Sequence, residues 1–298
     1  MVSLRGAAPG AAVRAVAAAL AAAGCPDAAY DARELYRIAA GHDSRLDRGP
    51  LPDALADRLQ TLAARRAARE PLQYLAGCWD FLDFTLAVGP GVLCPRPDSE
   101  TVCEAALDCL RQSGQTAPRV FDLCAGSGCL GLGIRRFCPG AAVTCVEKSP
   151  EALFYLRRNA ARALPGFDAA HPAVTVAEAD VFALWQTLPG GGLDLIVSNP
   201  PYLTAAEMAH RMPEVAREPA MALDGGDDGL AFYRLLTARY RAAVRPGGWL
   251  VLEIGATQAE AVTALGRQAG WRPVFCRRDL GGRDRAVALQ NPALSGEG

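Results

Sequence analysis

No Cys-x-x-Cys pair occurs among the ten cysteines, and the three histidines, His42, His171 and His210, stand far apart. Neither a zinc framework nor a Cys–His catalytic pair finds the spacing it needs. Several cysteines (Cys103, Cys124, Cys145, Cys276) fall inside apolar strand or helix patterns and read as small buried hydrophobes of a reducing compartment. Net charge is missing too: the formal value is −1, so no global field draws nucleic acid. A basic cluster, Arg65-Arg66-Ala67-Ala68-Arg69, suits a solvated helix face. No segment approaches the ~20 apolar residues of a membrane span. The Ala-rich start, with Arg5 ahead of it and Ala23-Gly24-Cys25 behind, imitates a lipid-anchor signal. Arg14 interrupts that run, however, and Val13, Val16 and Leu20 recur at helical spacing. A cytoplasmic protein with no membrane attachment is expected, without internal repeats and with a loose tail at Ser295 to Gly298.

What is present is ample core: 298 residues, 51 % of them hydrophobic, enough for two domains. Residues 10–70 read as three amphipathic helices near 10–23, 27–40 and 52–68, with breaks at Gly24-Cys25-Pro26 and from Gly41 to Pro52. Asp31, Leu35 and Ile38 share one register of the second. An aromatic, turn-punctuated stretch from Trp79 to Val92 reads as a β-hairpin. Pro97 then stops the extended chain, and Asp98 or Ser99 is placed to cap a helix near 99–112. From residue 118 strands alternate with helices, the pattern of a parallel sheet covered on both faces. Strands are expected near 119–124, 142–147, 173–178, 193–198 and 248–254, and helices near 129–137, 150–163, 229–244 and 256–269. The last two strands, Arg272 to Cys276 and Arg285 to Leu289, have only the Gly281-Gly282 turn between them. That makes an antiparallel hairpin, an ending found in class I methyltransferases and usually lacking in plain dinucleotide-binding domains. The expected division is a helical domain over 1–76, a hairpin linker over 77–97 and a Rossmann-like α/β domain over 98–298.

Two motifs carry chemistry. Leu193 to Val197 is a buried strand that runs into Ser198-Asn199-Pro200-Pro201-Tyr202, a stiff turn at the carboxyl end of a strand, where open α/β sheets place ligands. The Asn199 side-chain carbonyl and the Pro200 main-chain carbonyl are acceptors able to grip both hydrogens of a planar NH2 group. Asn199, Pro200 and Tyr202 are therefore the catalytic candidates, and with Pro201 they form the substrate turn. Asn-Pro and Pro-Pro are also ordinary turn punctuation, and Tyr202 is equally suited to a core role. Upstream, Val120 to Leu123 leads into Cys124-Ala125-Gly126-Ser127-Gly128, a glycine-bearing loop whose N–H groups, with the following helix N-terminus, point at a ligand. Glu147 ends the next strand, where an acid accepts hydrogen bonds from a ribose diol. Asp122 is placed either to cap the loop or to meet an ammonium.

The loop alone also fits NAD, since Gly126, Gly128 and Gly131 meet the dinucleotide spacing. Asp122 and the Asn-Pro-Pro-Tyr turn have no purpose in hydride transfer, and both suit S-adenosylmethionine. An adenine-N6 DNA methyltransferase would use the same turn, but it would need a basic face. A scaffold that has lost its cofactor would have no reason to keep the loop, Glu147 and Asn199 together.

Taken as a set, the motifs resemble those of the release-factor glutamine methyltransferases, the HemK/PrmC family. They are Arg69-Glu70-Pro71-Leu72-Gln73-Tyr74-Leu75, Pro95-Arg96-Pro97-Asp98-Ser99-Glu100, the loop from Asp122 to Gly128, and Ser198 to Tyr202. Glu218-Pro219, Ala222-Leu223, Gly225-Gly226, Asp228-Gly229-Leu230 with Tyr233-Arg234, and Gly282-Arg283-Asp284-Arg285 complete it. The resemblance spans nearly the whole chain. It implies an S-adenosylmethionine-dependent protein-(glutamine-N5) methyltransferase with cofactor contacts at Cys124, Ala125, Gly126, Ser127, Gly128, Glu147 and Val181; Asp122, by its place before the loop, and Asn199 join them as cofactor-binding candidates. The implied partner is a peptide-chain release factor, methylated on the glutamine of its Gly-Gly-Gln loop, with no DNA partner, and the chain is expected to be a monomer. The departures are small: Glu147 where Asp is more usual, Cys124 at a position often occupied by glycine, and Val181 in place of a larger residue beside the adenine.

Overall fold

The structure, a computed structural model, describes residues 3–293; the tail read at Ser295 to Gly298 lies outside them. The chain forms two compact units. One runs to Cys78 and also includes Met212–Arg217; the other holds Trp79–Arg211 and the chain from Glu218 onward.

The first unit is built on α1 (Pro9–Ala22), α2 (Ala28–Ala40), α3 (Asp53–Ala67) and a short α4 (Leu72–Ala76). Ala12, Val16 and Leu20 of α1 meet Ala32, Leu35 and Tyr36 of α2 and Ala56, Leu59 and Ala63 of α3 in its interior. Gly41, at φ 84°, ends α2 in the left-handed conformation that glycine adopts without strain. The basic cluster on α3 departs from a solvated face, because Arg66 is only 5 % exposed. Its Nε donates to Asp31 Oδ2 at 2.8 Å and its Nη2 to Glu214 Oε1 at 2.9 Å. Arg69 donates to the same Glu214 through Nε and Nη2. Two acids from distant parts of the sequence are what make a buried guanidinium tolerable. Replacing Glu214 with Ala strips Arg66 of one partner and Arg69 of both acceptor oxygens. The first unit should lose about 2 kcal/mol, read as a lowered midpoint in chemical denaturation followed by helical circular dichroism.

The second unit opens at Trp79, within the hairpin of β1 (Cys78–Phe81) and β2 (Phe84–Ala87), followed by α5 (Pro97–Ser113). The order continues β3 (Arg119–Leu123), α6 (Cys129–Phe137), β4 (Ala142–Glu147), α7 (Pro150–Arg162), β5 (Thr175–Glu178), α8 (Val181–Leu184), β6 (Leu193–Ser198) and α9 (Ala205–Ala209). It closes with α10 (Ala231–Arg239), β7 (Val244–Glu253), α11 (Ala259–Gln268), β8 (Arg272–Arg278) and β9 (Asp284–Gln290). The seven-stranded sheet runs β5-β4-β3-β6-β7-β9-β8. Strands β3 to β7 are parallel, and β9 lies antiparallel to both β7 and β8. Alternate strand residues feed two cores. Val120, Leu195 and Val251 face α5, α6 and α7, while Leu123, Ile196 and Leu252 face α10 and α11. Both faces of the sheet are therefore covered, as the aliphatic runs require.

Several boundaries differ from the sequence reading. The helix expected over 229–244 ends at Arg239, and β7 begins at Val244 rather than 248. Pro246-Gly247-Gly248 is absorbed as a bulge, where the register jumps from Leu193–Val244 to Leu195–Trp249. The first helical turn of α5 also begins earlier: Arg96 is its N-cap residue and Pro97 its first residue, with no side-chain cap at all. Cys276 is exposed rather than buried, because β8 is an edge strand with alternating exposure. The hairpin of β8 and β9 ends the sheet as the sequence indicated.

Candidate active site

A cavity of about 330 Å³ opens at the carboxyl edge of β3, β4 and β6. That size falls within the roughly 300–1,000 Å³ of small-molecule sites. The cofactor candidates Asp122, Cys124, Ala125, Gly126, Ser127, Glu147, Val181 and Asn199 line it, as does Pro201. Gly128, Pro200 and Tyr202 do not. Gly128, at φ 85°, shapes the turn from behind, and a Cβ there would lie 2.6 Å from Leu156 Cδ1. Pro200 is buried and Tyr202 half-buried, its ring packed against the core under α10.

Of the two roles left open for it, Asp122 takes the capping one. Its Oδ2 accepts the Gly131 N–H at 2.8 Å, capping α6. Its Oδ1 is buried and has no hydrogen-bond partner among the described residues. Burial pushes this carboxyl up to about 7, against the Gly131 N–H, which favours the charged form; the nearby Glu147 adds to the rise. Gly131 is obligatory for this approach, since a Cβ would sit 2.4 Å from Cys145 Sγ and 3.0 Å from Asp122 Oδ2.

The loop departs from expectation in where its N–H groups go. Ala125 N–H donates to Val146 O, Gly126 N–H to Glu147 Oε2 and Gly128 N–H to Ala125 O. Glu147 also accepts from the N–H groups of Lys148 and Ser149. Three of a carboxylate's roughly four acceptor positions are thus engaged, which fixes the loop and leaves one. Amides spent in this way form no cradle for a pyrophosphate. Cys124 takes φ 60°, a conformation that an L-residue adopts at a cost.

The sequence reading missed part of the lining. Arg96, Ser99, Lys148, Asp180, Phe182 and Phe232 all reach the cavity. Phe182 and Phe232 stand edge to face at 5.1 Å, so an aromatic wall stands beside Val181. Lys148 Nζ pairs with Asp180 Oδ2 at 2.6 Å. The signal for Phe182 lay in the chain itself, one position past Val181. Lys148 and Asp180 carried no motif of their own.

The turn is held from several sides. Ser198 Oγ donates to Leu123 O at 2.5 Å, and Gln258 Nε2 donates to Tyr202 O at 3.0 Å. Two motif glycines press on the same backbone. A Cβ at Gly225 would lie 2.7 Å from Tyr202 Cα, and one at Gly229, which has φ 72°, would lie 2.4 Å from Tyr202 O. Gly229→Ala should therefore shift the turn, lowering turnover about tenfold and stability by about 1–2 kcal/mol. Steady-state rates and thermal melts of that variant check both effects. Glu218 lies at the other flank, accepting from Arg96 Nη2 at 2.5 Å and from Cys94 N–H at 3.1 Å.

A parallel sheet closed by an antiparallel hairpin, with a glycine-bearing loop after its first parallel strand and an Asn-Pro-Pro-Tyr turn after its fourth, defines a class I, S-adenosylmethionine-dependent methyltransferase. The family model described as methyltransferase small domain matches residues 85–225, and the one described as PrmC N-terminal domain matches residues 11–77. A release factor glutamine methyltransferase of Mycolicibacterium smegmatis is 41 % identical over 298 residues, covering 95 % of this chain and 98 % of that one. One from Geobacter sulfurreducens is 41 % identical over 238 residues, 79 % of this chain and 78 % of its own. One from Bifidobacterium longum is 38 % identical over 275 residues, 88 % and 92 % of the two chains. The chain belongs to the release factor glutamine methyltransferase family. Among the described residues, no helix is long and apolar enough to cross a membrane.

Proposed function

We propose that this protein transfers a methyl group from S-adenosylmethionine to the side-chain amide N5 of the glutamine in the Gly-Gly-Gln loop of peptide-chain release factors. The observation that carries the reading is Asn199, fixed at the end of β6 and lining the same cavity as the cofactor loop. The cavity fits the cofactor. Asp122 Oδ1 is a buried acceptor without a partner among the described residues, suited to an ammonium, and Glu147 retains one acceptor position for a ribose hydroxyl. Val181 and Phe182 provide an apolar wall for a flat base, with Cys124 to Ser127 along the floor. When bound, S-adenosylmethionine supplies an electrophilic methyl on a sulfonium centre.

The chain's own task is to make a poor nucleophile react. An amide nitrogen has its lone pair delocalised into the carbonyl, and among the described residues no histidine lines the cavity to activate it. Asn199 Oδ1 and the Pro200 carbonyl accept the two amide hydrogens and aim the nitrogen along one line, an orientational contribution. As the nitrogen gains a bond its hydrogens become more acidic, and the same two acceptors hold them more tightly. That difference is selective for the transition state. Pro200 is buried and does not line the cavity, so Asn199 is the acceptor of the pair that the cavity exposes. Tyr202 supports the turn from the core side.

The test is methyl transfer from labelled S-adenosylmethionine to a purified release factor, beside its Gly-Gly-Gln glutamine-to-alanine variant and duplex DNA. Label on the parent factor alone is the expected result. Label on the DNA, or equal label on the alanine variant, would overturn the assignment.

A further inference from the structure

The side chain that meets the Asn199 amide is Ser99, which the sequence placed as a helix cap. Ser99 is 1 % exposed and lies in the first turn of α5, yet its hydroxyl does no capping. It donates instead to Glu253 Oε2 at 2.6 Å, across to the end of β7. The pairing Ser198–Leu252 between β6 and β7 brings Asn199 and Glu253 to the same carboxyl edge. Asn199 Nδ2 then lies 3.4 Å from Ser99 Oγ.

A hydroxyl has one proton. With that proton committed to the Glu253 carboxylate, Ser99 Oγ toward Asn199 is an acceptor only. The face of Asn199 that meets it must be the NH2 group, which turns Oδ1 away. An amide flipped by 180° would set Oδ1 against Ser99 Oγ, two acceptors with no hydrogen between them. It would also present an NH2 to the NH2 of the incoming glutamine. We propose that Ser99, oriented by Glu253, is a positioning residue that holds the Asn199 amide with Oδ1 presented to the substrate. This rests on the role assigned to Asn199 above.

The chain of contacts is sensitive to the charge on Glu253. Buried at 1 % exposure, its carboxyl is pushed up to about 7 by desolvation, opposed by the Ser99 hydroxyl and by Arg285 and Arg96. Asp98, beside Arg285 at 3.3 Å, faces it from the start of α5. Tyr202 and the Cys129 thiol of α6 are close enough to feel its charge, and Tyr233 of α10 donates to its main-chain carbonyl at 2.9 Å. The arginines stay charged throughout. As pH falls through about 7, Glu253 gains a proton that it can donate to Ser99 Oγ. The Ser99 proton is then free to turn toward Asn199, and the preference for one amide direction disappears.

A double-mutant cycle tests this: Ser99→Ala, Asn199→Ala and the pair, with turnover measured at saturating cofactor and release factor. Ser99→Ala should lower kcat about tenfold in the parent and less than twofold once Asn199 is alanine. A merely structural serine would cost the same in both backgrounds, and that result, or parental kcat for Ser99→Ala, would overturn the proposal. Parental turnover in Asn199→Ala alone would instead overturn the catalytic role of Asn199. A second readout is the pH profile of kcat. The parent should fall on the acid side of about 7, and Glu253→Gln, which has no proton to gain, should be flat there. An unchanged acid limb in Glu253→Gln would overturn the part given to Glu253.

Discussion

Replacing Asn199 with Ala should lower kcat about 100-fold or more while leaving cofactor affinity within about twofold of the parent. The size follows from removal of one oriented hydrogen-bond partner that acts on developing charge, which typically costs 10²–10³-fold. The split between parameters follows from position. Asn199 directly follows β6, whereas the acceptors suited to the cofactor, Asp122 and Glu147, lie in the last two residues of β3 and at the end of β4. Asn199→Asp separates two effects: it keeps an acceptor but adds a negative charge near the site of the sulfonium. The aspartate variant should therefore bind the cofactor at least as well as the parent. It should also methylate more slowly than the parent, because a carboxylate has two equivalent acceptor faces and cannot donate to Ser99 Oγ as Nδ2 does. Isothermal titration for cofactor affinity and single-turnover labelling for the chemical step report the two quantities separately. Turnover of Asn199→Ala near the parental value would refute the role of the side chain. The proline carbonyl would then be left as the sole orienting group of the turn.

The sequence was most informative where local chemistry and global placement coincide. The run from Leu193 to Val197 is aliphatic, ends at two prolines and occupies a central strand, so its boundary was legible to the residue. The loop from Cys124 to Gly128 was legible for the same reason: glycines at fixed spacing follow an apolar strand. Less legible were groups whose meaning depends on a distant partner. Ser99 looked like a cap because serine near a helix start usually is one. Glu253, 154 positions further along, gives it a different task, and no local pattern announces that pairing. Arg66 looked solvated on its helix face until Asp31 and Glu214 came to it. The motif at Pro97-Asp98-Ser99-Glu100 shows the same division. Pro97 starts the helix by local rules. Asp98 pairs with Arg285, and Glu100 Oε1 accepts the Leu82 N–H at 2.9 Å in the hairpin, both long-range contacts. The segment is thus a junction where α5, β9 and the hairpin are tied together behind the cavity.

The second large effect concerns Asp122, where the apo protein holds a carboxyl at a disadvantage. Among the described residues its Oδ1 has no partner, and its carboxyl is pushed up to about 7 by burial, so near neutrality the ionised form is costly. A cation placed against Oδ1 would favour ionisation and pull the value down. Cofactor binding should then release a proton near neutral pH, and affinity should weaken as pH drops below about 7, where the apo carboxyl is neutral. Asp122→Asn keeps an oxygen for the Gly131 N–H but removes the charge. Losing a charged hydrogen bond of about 1.5–3 kcal/mol corresponds to an affinity roughly 10- to 100-fold weaker. The pH dependence of that affinity should flatten in the same variant. Stability should move the other way. A group whose folded value is raised withholds stability as pH climbs from its unfolded range near 4 towards 7, so at pH 8 the apo asparagine variant should melt above the parent. Calorimetric titration in two buffers of different ionisation enthalpy measures the proton release, and apo melts at pH 5 and pH 8 measure the stability. A parental affinity in Asp122→Asn would confine Asp122 to capping α6. Weaker binding together with a higher apo melting point would mean that this site gives up stability to keep a buried charge for its cofactor.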